Sequence, residues 1–138
     1  MPAAESNQNA ITYRSQDLTI ELEPLEVEER TGSVQLSIRV AWESRRQSLH
    51  WVASAWTLYS ALDEFEVALH SNRQATLTDI SGYPVLRITM DDKCARLVLN
   101  PVSKHQSPDG DRLTVQIAAE SDLPSALAHT FRAFPKWW

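Results

Sequence analysis

Histidine, cysteine and paired carboxylates are the side chains from which catalytic and metal sites are built, and this chain scatters them. Its four histidines, His50, His70, His105 and His129, are at least 20 residues apart. None has a second histidine at i+4 or a CxxC neighbour, the spacings that bring ligands to one metal. Glu66 and His70 are one i, i+4 step apart, which on a helix makes an exposed surface pair. Cys94 has Lys93 and Arg96 nearby but no histidine to act as base, so it reads as a half-buried strand cysteine. Asp91-Asp92 and Asp109/Asp111 could gather a cation, yet each lacks the ligand number of a calcium loop and reads as a turn. A GxSxG elbow is absent, and glycines at 32, 82 and 110 cannot form a phosphate-cradling loop. The expectation is a chain with no catalytic residue, no metal and no cofactor, hence not an enzyme.

A different chemistry is concentrated in residues 18–29, LTIELEPLEVEE, where five glutamates alternate with apolar residues. Leu18, Ile20 and Leu22 share one strand face, but Leu25 and Val27 are one step out of phase, with Pro24 at the slip. Proline cannot donate to a strand ladder and belongs at edges or bulges. A bulge here would keep all five apolar residues inward and put Thr19, Glu21, Glu23, Glu26 and Glu28 on the solvent face of an edge strand. Two readings of that row stay open. Edge charges prevent edge-to-edge aggregation, and a row of carboxylates also suits a basic partner. Like charges in one row repel when no partner is present. Trp56 is the aromatic to set beside it. It lies off the apolar stripe of the helix expected around it, so it either packs under a neighbouring segment or serves as an exposed contact.

The elements that would position these residues follow from periodicity. Residues 1–16 are polar and aperiodic, a flexible tail in which order could begin from Ile11, preceding a single domain over 17–138. After a Thr31-Gly32 turn, Val34, Leu36, Ile38, Val40 and Trp42 alternate with polar residues as a half-buried strand. A short strand on Leu49, Trp51 and Ala53 follows a polar turn at 44–47. Ala55, Leu58, Leu62, Phe65 and Leu69 then form one helical stripe, with Ser54 as N-cap and Ser71-Asn72 as stop. Strands are expected over 75–80, 85–90 and 94–102, and on Leu113, Val115 and Ile117. Their turns are SGYP (81–84), Asp91-Asp92 and SPDGD (107–111). A last helix starts near Asp122 with Pro124 in its first turn and buries Leu123, Leu127 and Phe131. Short connections favour antiparallel neighbours. The expected fold is α+β: one twisted antiparallel sheet of six to seven strands, with two helices, central and C-terminal, on one face. No internal repeat is visible.

Size and charge bound the function. The chain has 138 residues, 43% hydrophobic and 22% charged, and a net charge of −5. That is enough for one core without staples. One cysteine excludes an intrachain disulfide and suits a reducing compartment. No signal-peptide pattern opens the sequence and no apolar run reaches the ~20 residues of a membrane helix, so the cytoplasm is expected. Residues 1–72 hold eleven acids against five Lys/Arg, whereas 73–138 hold seven against eight. No basic face is clustered for nucleic acid. The acidic half suits a basic protein partner instead.

The order of elements resembles a known family. The strands from Leu18 onward, the helix ALDEFEVAL, the following DISGYPVLRITM, and DRLTVQIAAESDLPSALAHTFRAF at the end resemble the WapI-type immunity proteins of bacterial polymorphic toxin systems, and related small bacterial domains. The resemblance covers most of residues 18–134 and is a pattern of elements without a diagnostic motif. It implies a small cytoplasmic protein that neutralises a cognate toxin by binding it, with no catalytic residue to carry over. An acidic domain would cover a basic cleft by charge complementarity. The alternatives are a small-ligand module on the concave side of the sheet, with Trp51 and Tyr83 in its lining, and a structural or interaction domain.

Overall fold

The computed structural model describes residues 9–71, 73–101, 113–136 and 138. The chain is α+β, but its strands form two antiparallel four-stranded sheets where one sheet of six to seven was expected. The first sheet is β1 (Ile11–Arg14), β2 (Leu18–Glu28), β3 (Ser33–Glu43) and β4 (Ser48–Leu58), side by side in chain order. Helix α1 (Tyr59–His70) leads to the second sheet, again in chain order: β5 (Ala75–Thr78), β6 (Pro84–Met90), β7 (Ala95–Leu99) and β8 (Val115–Ala119). Helix α2 (Leu123–Ala133) follows. Four strands and a helix therefore occur twice, an architectural repeat that the sequence does not display.

Both sheets and both helices share one core. Ile20, Leu22, Ile38 and Val40 of the first sheet join Leu77, Leu86, Ile88, Leu97 and Leu99 of the second. Leu62, Phe65 and Leu69 enter it from α1, and Leu123, Leu127 and Phe131 from α2, the two stripes read from the sequence. Each such side chain contributes ~1.5–3 kcal/mol on burial. The helices meet edge-to-face through Phe65 and Phe131, with ring centroids 5.9 Å apart. Helix α1 also packs on β5 and β4, and α2 on β1.

Three expectations are corrected. The boundary of the tail at residue 16 moves back to Ile11, where order could begin: strand β1 starts there, with Ile11 and Tyr13 buried. The Tyr13 hydroxyl lies 3.1 Å from Asp122 Oδ1 and fastens β1 to the start of α2. Burial first, then that carboxylate, pushes the phenol pKa up to about 12. Second, Ser54 is no helix cap: residues 54–58 belong to β4, which pairs with β3 from Ser33↔Leu58 to Glu43↔Ser48. Ala55 and Leu58 suit a helical stripe, but three apart they lie on opposite faces of a strand; the inward pair is Ala55 and Thr57, and the continuous ladder decides for the strand. Third, β2 is not an edge throughout, because β1 covers it from Thr19 to Leu22.

The turns follow the sequence more closely. Gly32, at φ 64°, closes the β2–β3 hairpin, and Gly82, at φ 86°, the β5–β6 turn. Asp91 N–H donates to the Cys94 carbonyl at 2.8 Å, closing the Asp91-Asp92 turn. SPDGD (107–111), His105, Asn72 and Trp137 lie outside the described residues.

Candidate functional site

The sheet register assembles the candidate site. Along β2 and β3 the pairs Thr19↔Ala41, Glu21↔Arg39 and Glu23↔Ser37 come before a register shift between Pro24 and Glu26. Glu26↔Gln35 and Glu28↔Ser33 follow it. The bulge expected at Pro24 therefore exists. It puts Glu21, Glu23, Glu26 and Glu28 in one row on the face opposite Ile20, Leu22, Ile38 and Val40. One detail differs: Leu25 is the extra residue and is 51% exposed, while Pro24 takes the buried place. Leu25 is the single residue between the pairs Pro24↔Leu36 and Glu26↔Gln35 and has no partner on β3.

The next strand continues the face. Through β3, Glu26 aligns with Gln35 and then with Trp56; Glu23 aligns with Ser37 and Ser54, and Glu21 with Arg39 and Val52. Trp56 was expected on a helix and is a strand residue, yet it lies on the same face as the glutamates. Two interstrand steps put its backbone about 10 Å from that of Glu26. The indole is half-buried, and its carbonyl accepts a 2.7 Å hydrogen bond from Ile80 N–H of the β5–β6 turn. Glu26, Glu28, Arg39, His50, Val52 and Ser54 are exposed, whereas Glu21, Glu23, Gln35 and Ser37 are half-exposed. A depression of about 200 Å³ on this face is lined by Thr19, Glu21, Arg39, His50 and Val52 among others.

The face is thus a sheet surface with four carboxylates along one side, an aromatic at the far end, and Gln35, Ser37 and Arg39 between. Arg14, across from Thr19 on β1, and Arg39 are its cations. Chemically it offers carboxylate acceptors and a flat apolar contact, which suits guanidinium and ammonium groups. The middle row was legible in the alternation of β3. Val52 and His50 join the face only through the pairing of β4 with β3, and alternation within one strand does not tell which strand lies beside it.

The scattered candidates stay scattered. His50 is on β4, His70 at the end of α1 and His129 on α2. Among the described residues, no three of His, Cys, Asp and Glu cluster as metal ligands. Glu66 does meet His70, at 3.9 Å, and Lys136 Nζ also reaches it at 2.8 Å, an ion-paired link between α1 and the C-terminal segment. Cys94 is half-buried beside β7.

Two concavities lie elsewhere. Trp51 and Tyr83 do line one cleft, of about 360 Å³, between β4 and the β5–β6 turn, together with Asp79 and Asn100. Two of its polar groups hold backbone: Asp79 Oδ1 accepts from the Ser81 and Tyr83 amides at 2.9 Å, and Asn100 Nδ2 donates to the Leu113 carbonyl at 3.2 Å. A groove of about 610 Å³ runs between α1 and the start of β5, past Asp63, Glu64, Val67 and Arg73. No helix among the described residues is long and apolar enough to cross a membrane. No family model matches the chain, and no curated protein or solved structure matches it.

Proposed function

We propose that this chain is a non-catalytic protein-binding domain that takes a basic partner on the outer face of its first sheet. The observation that carries the reading is the register: Glu21, Glu23, Glu26 and Glu28 stand in one row, and Trp56 lies across β3 on the same face. Edge protection explains charges on the part of β2 beyond Leu22, which β1 does not cover. It does not explain Glu21, which is paired on both sides. Carboxylates steer a cationic surface into contact, and an aromatic beside them supplies the apolar anchor typical of interface centres. Glu26 and Glu28 form the outer end of the row, with Trp56 as anchor.

The finer reading is that the partner is a toxin domain and the chain its immunity protein, with binding alone as the means of neutralisation. It rests on the order of elements described above. A second reading, a small-ligand module, draws on the cleft that Trp51 and Tyr83 share. It ranks lower because a ligand site needs polar groups aimed at the ligand, and Asp79 and Asn100 are committed to backbone partners.

The test is affinity capture from host lysate with three forms of the full chain. These are wild type, the face variant E21K/E23K/E26K/E28K, and the off-face control D63K/E64K/D91K/D92K, which changes net charge equally. The expected result is a basic protein held by wild type and control and lost by the face variant, all three melting as folded proteins. Equal capture by all three, or capture by none, contradicts the reading.

A further inference from the structure

Edge strands expose unpaired backbone groups, and stable proteins shorten, bend or charge them. Strands β1 and β5 have four residues each and β8 five. The length of β2 that β1 leaves open carries the bulge, Pro24 and three glutamates. Strand β4 has none of these devices. It is the outer strand of the first sheet and eleven residues long, and its sequence SLHWVASAWTL contains no proline, lysine, arginine or carboxylate. Val52, at its middle, is 69% exposed.

The backbone direction at this edge is fixed by three hydrogen bonds. Trp56 O faces away from β3, since it accepts from Ile80 N–H at 2.7 Å. Tyr59 N–H instead donates back to Gly32 O, and at the other end Ser44 N–H donates to Gln47 O, both at 2.8 Å. In an antiparallel ladder each residue's N–H and C=O point to the same side, and the side alternates. His50, Val52 and Ser54 therefore aim both groups outward. Among the described residues nothing pairs with them. Val52 is open to solvent, and beside Trp51, Ala53, Ser54 and Ala55 the strand borders the cleft it shares with Asp79, Tyr83 and Asn100.

We propose that β4 pairs with β4 of a second copy, antiparallel about a two-fold axis through Val52, joining two first sheets into one of eight strands. A two-fold contact must be self-complementary. About this axis Val52 meets Val52 and His50 meets Ser54, exchanging about six main-chain hydrogen bonds. On the other face the bulky Trp51 meets the small Ala53, and Leu49 meets Ala55. No like charges are opposed. The contact ends at Trp56, whose carbonyl is already taken. Charge favours this edge over the others: the two acidic rows would be five interstrand steps apart, ~24 Å, against a screening length of ~8 Å at physiological salt. Two chains of net charge −5 thus meet along their neutral strip, and the carboxylate faces stay open. The pairing is independent of the partner proposed above.

Sedimentation velocity of the full chain over about 1–100 µM tests it. The expected result is conversion with concentration to a species of twice the 15.6 kDa chain mass. Amides of residues 50, 52 and 54 should exchange at least tenfold more slowly in that species. Val52→Lys opposes two lysines across the axis and should weaken association by at least about tenfold. Ser37→Lys adds the same charge to the same face one strand inward and should leave association unchanged. Hydrogen exchange of the core strands checks that both variants fold. A 15.6 kDa species throughout, or a dimer that Val52→Lys does not weaken, overturns the proposal.

Discussion

Tyr13 shows how much one residue contributes outside the candidate site. Its ring is buried in the common core and its hydroxyl reaches Asp122 across 109 residues of sequence. A phenol whose folded-state pKa lies above its unfolded value stabilises the fold fully below the unfolded pKa, 10.0, and loses that contribution as pH rises through about 12. The wild type should therefore lose on the order of 2 kcal/mol between those limits. Tyr13→Phe should cost about 1 kcal/mol at pH 7, for the lost hydrogen bond, and flatten the alkaline fall. Urea unfolding of both proteins at pH 7 and across the alkaline range measures this, and parallel alkaline curves would count against it. The sequence offered no warning of this link, since ITYR is four residues in a polar stretch and its pairing with β2 is visible only once folded. The glutamate row was different. Pro24 at the phase slip announced a bulge, and a bulge put the carboxylates on one face whichever edge β1 came to cover.

At the level of elements, the boundary between β4 and α1 is where periodicity misled. Ala55 and Leu58 extend the helical stripe backwards, yet in the strand they lie on opposite faces, as the ladder from Ser33↔Leu58 to Glu43↔Ser48 shows. Thr57 records the outcome. It is fully buried opposite Val34, and its Oγ1 has no hydrogen-bond partner among the described residues. A buried hydroxyl without a partner costs ~1–3 kcal/mol. Thr57→Val keeps the β-branched shape that a strand favours and removes the polar atom. The variant should be more stable by about 1 kcal/mol, read as a higher urea midpoint at unchanged slope. A lower midpoint would mean that the hydroxyl is satisfied by solvent. The long alternation of β3 and the stripes of Leu62, Phe65 and Leu69 and of Leu123, Leu127 and Phe131 were legible because each fits a single period over several turns or strand steps. Residues 54–58 were not, because Ala55 and Leu58 continue the helical spacing while the inward strand residues there, Ala55 and Thr57, are small or polar and show no apolar alternation.

For the whole molecule, antiparallel pairing could be read from turn spacing, but the eight strands among the described residues, where six to seven were expected, and their division into two sheets could not. Alternation reports that a strand has a buried face; it does not report which strand lies beside it. Helix α1 separates β4 from β5, and the core closes over both sheets from Ile20 to Leu97 with Phe65 and Phe131 among them. One consequence is functional. The inner faces supply the common core, so the outer face of the first sheet keeps its side chains for solvent or a partner. The charge asymmetry read from the sequence acquires a location there, in the row on β2. The central claim is that this face binds a basic protein, and the most direct test is a calorimetric titration. The captured partner is titrated into wild type and into E21K/E23K/E26K/E28K at low and physiological salt. Wild-type affinity should fall with salt, and the variant should bind at least about 100-fold more weakly. Equal Kd for the two proteins, unchanged by salt, would contradict the claim.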